Sequence, residues 1–331
     1  MERRTRKDGA IARSTRMPGG AATVLAIAVF ITLPLAAAPR FSDWSTPQNL
    51  GPPVSSPFAD LGPCISKDGL SLYFASNRSG NFDIWVSQRA SEDSPWEEPM
   101  PLPRNPPINT AALESIPTLS RDGHWLFFNS DRTEGGSGGV DIWASFRFDK
   151  HDDFGWQEPT NLGPGVNSPS FDGGAFLFES DDEERPLLFF GSDRQPSVGG
   201  IDIYVSEQGA DGSFGPPTPV DELNTSRNDQ RPVIRSDGRE LFFFSDRDRP
   251  PNLEDLWVST RESVDDPWSE PVNLGPTVNS AFRDAHPFLA SDRKTLFFSS
   301  NRPPGADCPG CASFDLYVTT RTKAKGPHKD R

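Results

Sequence analysis

Between Leu126 and Trp143 the chain reads LFFNSDR, then a glycine-rich loop, then DIW. The phrase returns as LYFASNR…DIW (Leu72–Trp85), LFFGSDR…DIY (Leu188–Tyr204), LFFFSDR…DLW (Leu241–Trp257) and LFFSSNR…DLY (Leu296–Tyr317). Its arginines, Arg78, Arg132, Arg194, Arg247 and Arg302, stand 54, 62, 53 and 55 residues apart. Self-similarity at so steady a period means one supersecondary unit used five times. Such a unit cannot bury its apolar faces alone and must stack on its neighbours.

The copy from Glu114 to Asp172 shows what the unit is. Ile116–Ser120 reads as a short strand and Arg121-Asp122-Gly123-His124 as a hairpin turn of the Asp-Gly kind. Trp125–Asn129 is a second, aromatic strand, and Ser130-Asp131-Arg132 opens a loop holding Gly135, Gly136, Gly138 and Gly139. Asp141–Phe146 is a third strand and Trp156–Leu162 a fourth, ended by Gly163-Pro164-Gly165. Four antiparallel strands joined as a meander make one propeller blade. With 34 Pro and 28 Gly among 331 residues, and no sustained 3.6-residue apolar spacing, little helix is expected. The third copy departs most. Ala175 replaces the proline of the first strand, and the acidic run Ser180–Pro186 replaces the Asp-Gly turn.

The count of strands predicts how the ring closes. The last copy ends after its third strand, Asp315–Thr320, while Trp44–Leu50 is a fourth strand with no blade before it. The N-terminal strand is therefore expected to complete the last blade and remove the open edge. The expected fold is all-β: a five-bladed β-propeller of four-stranded antiparallel blades over residues 39–321, followed by a disordered basic tail at 322–331.

Residues 1–38 differ in kind. A basic lead (Arg3, Arg4, Arg6, Lys7, Arg13, Arg16) precedes the apolar run Ala21–Ala38, the pattern of a secretory signal peptide or, uncleaved, of an N-terminal membrane anchor. This predicts a periplasmic or extracellular protein, tied to the inner membrane only if the segment is retained. The segment holds six Lys/Arg and two Asp/Glu, so its removal takes the net charge from −14 to −18. So acidic a domain repels nucleic acid and anionic lipid heads; cations, basic protein surfaces and neutral sugars remain open as partners.

The pattern Pro-x-Ile/Leu-Ser-x-Asp-Gly, then Leu-Tyr/Phe-Phe-x-Ser-Asn/Asp-Arg, then Asp-Ile/Leu-Trp/Tyr-Val resembles the propeller repeats of the TolB-like family over about residues 41–321. The resemblance implies an exported propeller. It implies little about activity, since such propellers serve as scaffolds and also stand beside catalytic domains, and residues 1–331 are not expected to include a catalytic domain of that kind.

A residue present in every blade is expected to hold the blade, whereas a single active site should break the symmetry. The repeated arginines and the Asp of the third strand (Asp83, Asp141, Asp202, Asp255, Asp315) flank one loop, so Arg–Asp pairs or Arg–carbonyl bonds closing it are expected. A second ring, Asp60, Glu114, Asp172, Asp229 and Asp284, begins the first strands and so surrounds one channel mouth. These acids would hold a divalent cation, a basic side chain or sugar hydroxyls, or would instead bond backbone N–H groups and set blade spacing. His286 adjoins Asp284 and joins these ligand-binding candidates. No other cofactor is expected, and neither a zinc site nor a catalytic triad is evident. Cys308 and Cys311, in Cys-Pro-Gly-Cys, are disulfide candidates; Cys64 reads as a buried thiol. The favoured expectation is a monomeric, non-enzymatic binding or scaffolding propeller of the cell envelope. It would recognise a protein or glycan on the loop face at the channel mouth. The alternative is a glycoside hydrolase-like enzyme using inner-strand carboxylates such as Asp60, Glu114 and Asp172.

Overall fold

The second strand of each repeat is apolar on both faces: Leu72 and Phe74 point one way, Tyr73 the other, and all three are buried. A strand sandwiched between neighbouring sheets must be apolar on both sides, and that is where the structure puts it. The computed structural model describes residues 41–180, 185–303 and 313–324. Residues 1–40, on which the expected signal segment falls, the acidic residues 181–184, residues 304–312 with the Cys308/Cys311 pair, and residues 325–331 lie outside them.

The protein is a five-bladed β-propeller. Blade one comprises Asp60–Ile65, Ser71–Ser76, Asp83–Gln88 and Met100–Pro101, and blade two Glu114–Leu119, Trp125–Ser130, Asp141–Phe146 and Thr160–Asn161. Blade three runs Asp172–Phe178, Leu187–Ser192, Asp202–Glu207 and Thr218–Pro219. Blade four runs Asp229–Ile234, Glu240–Ser245, Asp255–Thr260 and Val272–Asn273. Blade five has Asp284–Leu289, Thr295–Ser300 and Asp315–Thr320, and Gln48–Asn49 completes it from the other end of the chain.

The outer strands are shorter than the sequence suggests. Trp156–Leu162 contributes only Thr160–Asn161 to the ladder, plus an isolated bridge between Trp156 and Arg147. A proline (Pro47, Pro99, Pro159, Pro217, Pro271) stands directly before each outer strand. Proline has no N–H to give the ladder, so pairing resumes only after it.

The inner strands share a second irregularity. Pairing to the second strand slips between the second and fifth residues of each inner strand. The third residue there has left-handed backbone: Gly62, Ile116, Gly174, Arg231 and His286, with φ of 69°, 52°, 67°, 50° and 54°. For β-branched Ile116 this conformation is costly, and packing must impose it.

Ring closure is more than two backbone pairings, Gln48 with Val318 and Asn49 with Tyr317. Asn49 Nδ2 donates to Asp315 Oδ2 at 3.1 Å. The Arg321 guanidinium grips both oxygens of Glu240 in blade four at 2.5 and 2.7 Å, and lies over Phe41 and Trp44. Burial pushes the Asp315 carboxyl up to about 6, with the charge of Asp60 adding to it.

Deleting residues 41–50 is expected to leave the edge of Asp315–Thr320 open. The melting temperature should fall by about 10 °C or more and the protein should self-associate on sizing chromatography; an unchanged monomer with an unchanged melt would refute this closure. The raised carboxyl of Asp315 has a defined sign. Its contribution to stability is full below the ordinary carboxylate pKa of about 4 and is lost as pH rises through about 6. Asp315→Asn should therefore be more stable than the parent at pH 7 and should flatten the melting profile between those values. A pH profile identical to the parent's would count against it.

Candidate functional site

The five carboxylates at the channel mouth are sealed rather than offered. Asp60, Glu114, Asp172, Asp229 and Asp284 are each 0% exposed. One oxygen of each meets the arginine of its own blade (Arg78, Arg132, Arg194, Arg247, Arg302) at 2.5–3.0 Å. A Ser or Thr four residues earlier donates both its N–H and its hydroxyl to the carboxylate (Ser56, Thr110, Ser168, Thr225, Ser280). The arginine also donates to a carbonyl of the linker entering the blade, Val54 or Leu223 for example. It lies over two aromatic rings of its blade, such as Phe128 and Trp143. Both oxygens of every one of these carboxylates are thus bonded within the repeat. Glu114, one methylene longer than the others, is nonetheless driven up by burial, against the pull of Thr110 and Arg132.

The partner expected for these arginines is thereby replaced. The third-strand aspartates do not meet them; Asp83 pairs with Arg104 and Asp255 with Arg249. Asp141, Asp255 and Asp315 accept from outer-strand Asn161, Asn273 and Asn49. The first-strand acid lies within reach because the second strand pairs its last serine directly opposite, Asp60 against Ser76 for instance. The Arg–carbonyl bonds are present as expected. His286 is not on a carboxylate either. It lies below the acid ring at the bulge position, its ring edge-on to Phe244 and Phe314, and is held neutral by burial and by the charges of Arg231 and Arg283. Among the described residues no cluster of three His, Cys, Asp or Glu is placed to hold a metal ion.

A second feature lies at the opposite end of the inner strands, where the hairpin turns gather. It is a cleft of about 980 Å³ floored by Ile65, Leu119, Leu177, Ile234 and Leu289 and walled by the turns and by the Phe148–His151 loop. Two carboxylates on neighbouring blades face it with opposite tendencies. Asp122 is burdened by partial burial, but bonds to its Oδ1 from Ser120 Oγ (2.6 Å) and His124 N–H (3.0 Å) outweigh this and keep it below the ordinary carboxylate range. Glu179 is pushed up by burial and by the nearby charge of Asp122, despite the Arg121 N–H that donates to its Oε2 at 2.8 Å. Phe148, 78% exposed, stands at the rim against Phe146, which is edge-on to Trp125.

Glu179 was invisible to the repeat argument. It takes the place held by Lys67, Arg121, Ser236 and Ser291 in the other blades, directly before the acidic run that replaces the turn of blade three. The departure of the third copy was the available signal. What it meant depended on Asp122 facing it from blade two.

No family model matches the chain, and no curated protein matches it. Solved structures do. The catalytic domain of a GH62 α-L-arabinofuranosidase from Coprinopsis cinerea aligns at a TM-score of 0.57 and 14% identity, covering 87% of this chain and all of that one. An endo-arabinase from Bacteroides thetaiotaomicron aligns at 0.52 and 18%, covering 87% and 99%. A putative TolB from Agrobacterium tumefaciens aligns at 0.43 and 14%, covering 82% and 92%. At these identities the likeness is one of fold. The expectation of a non-enzymatic scaffold is nevertheless corrected. Glycoside hydrolases stand among the structures this propeller resembles, and the carboxylates meant to grip a partner at the channel mouth are buried on their own arginines. The chain is a five-bladed β-propeller of the architecture those hydrolases use.

Proposed function

We propose that the protein is a carbohydrate-active hydrolase whose site is the turn-side cleft, with Glu179 as general acid and Asp122 as the second carboxylate. The observation that carries this reading is the pair itself: two acids on adjacent blades, one driven up and the other down, in one open cleft. Divergent carboxyl pKa values are what acid–base assignment requires. In glycoside hydrolysis a protonated carboxyl gives its proton to the leaving glycosidic oxygen, the C1–O bond breaks, and the ionised partner assists the water that replaces it. Inner-strand carboxylates cannot serve, because each is fully buried and bonded to its arginine and to a serine or threonine, out of a substrate's reach.

The surroundings favour a sugar. Phe148 offers an exposed aromatic face at the rim, and His124, Lys150, His151 and Arg293 line the walls with donors for hydroxyls. The chain's acidity favours a neutral glycan over a charged one. The likeness to arabinofuranosidases and endo-arabinase supports arabinose-containing polysaccharide as the substrate class. The basic–apolar N-terminal segment supports export to where such polymers are met, and the repeat consensus supports kinship with TolB-like propellers.

The test is sugar release from arabinan, arabinoxylan and xylan by the purified chain, followed by chromatography. Glu179→Gln should lower turnover by at least about 100-fold with the melting temperature unchanged. Activity on none of these polymers, or full activity in Glu179→Gln, would sink the proposal. Asp60→Asn separates this site from the channel mouth. It strands the buried Arg78 charge and should cost about 3 kcal/mol of stability in a denaturant titration, while turnover of the folded fraction persists.

A further inference from the structure

The clasped arginines throw one exception into relief. Arg231, at the bulge of blade four, is 2% exposed and has no carboxylate partner among the described residues. Its Nη2 donates to the Pro63 carbonyl of blade one at 2.9 Å, while Nε and Nη1 have no acceptor among the described residues. Burial pulls the guanidinium down to about 9, opposed by the nearby Cys64 thiol, which burial itself pushes up to about 12. Five bulge positions converge here, and two are glycine for a visible reason. A Cβ on Gly62 would come within 2.9 Å of Arg231 Nη1 and 3.0 Å of Ile116 Cδ1, and one on Gly174 within 3.3 Å of the Arg231 Cα and Cβ. The ring has given up side chains in blades one and three to admit a cation from blade four.

Arg231 borders a cavity of about 260 Å³ separate from the turn-side cleft. His286 borders it too, its buried Nδ1 also without a partner among the described residues. The rest of the wall is mainly apolar, with Phe82, Val140, Phe171 and Phe244 prominent. A buried unpaired cation is costly unless a counter-charge meets it. A volume several times the roughly 30 Å³ share of one water, walled by aromatics, suits an anion that carries an apolar body. We propose that this cavity binds a short-chain monocarboxylate, its carboxylate on Arg231 and beside His286, its alkyl part among the phenylalanines. Guanidinium–carboxylate pairing is strong when desolvated, and the chain's acidic exterior leaves this interior cation as the local attractor.

Sodium butyrate is the probe, titrated into the full chain by calorimetry and by melting temperature, with sodium chloride at matched ionic strength as control. One butyrate per chain should bind and raise the melting temperature, with chloride inert. Arg231→Met should weaken binding about tenfold or more, and without butyrate should melt no lower than the parent, since it removes an unpaired charge. His286→Leu should weaken binding several-fold, and it decides the matter if Arg231→Met does not fold. Glu179→Gln should bind as the parent does, which separates this site from the hydrolytic reading. Absence of butyrate binding by the parent, undiminished binding by both channel variants, or equal stabilisation by chloride would each overturn the assignment.

Discussion

Everything in this propeller hangs on a clasp repeated five times: an acid that opens the inner strand, an arginine that leaves the second strand, and a serine or threonine at the end of the linker. Buried charges are tolerable only when paired and hydrogen-bonded; the clasp pairs each acid with an arginine and bonds both carboxylate oxygens, while stacking the guanidinium on two rings. It joins three separate stretches of each repeat and fixes where one blade hands over to the next. With that many constraints at one end of the inner strands, chemistry at the same end would have to dismantle the frame.

The opposite end is freer. Hairpin turns need only an aspartate and a glycine to form, so the side chains around them can vary from blade to blade. Blade three uses that latitude to place Glu179 where other blades have cations or serines. A fivefold frame thus holds one asymmetric cleft, and the asymmetry sits where a change costs the frame least. Between the two ends, the bulge ring is a third layer. There the backbone is uniform, but the side chains are glycine, isoleucine, glycine, arginine and histidine.

Closure follows the same economy of parts. The ring is shut by an outer strand borrowed from the N-terminal end, and the join is reinforced by Arg321 on Glu240 and on the aromatic rings of Phe41 and Trp44. Proline before every outer strand keeps those edges short, which limits pairing with other chains. The same device that protects the edge hides most of the fourth strand from the ladder.

The repeat phrase alone determined the number of blades, the order of their strands and the shared end, because apolar spacing and Asp-Gly turns act locally and recur in register. Even the short outer strands were written in Pro47, Pro99, Pro159, Pro217 and Pro271, whose missing N–H groups interrupt the ladder. Partnership was decided by the tertiary structure. Arg78 lies five residues from Asp83 and eighteen from Asp60, yet it meets Asp60, because antiparallel pairing brings Ser76 opposite that acid. Likewise Glu179 and Asp122, or Arg231 and Gly62, lie far apart in the chain and become neighbours only when blades stack around the axis. Sequence carries what neighbours along the chain impose on one another; which charge is paired, and which is left over, is settled by the closed ring.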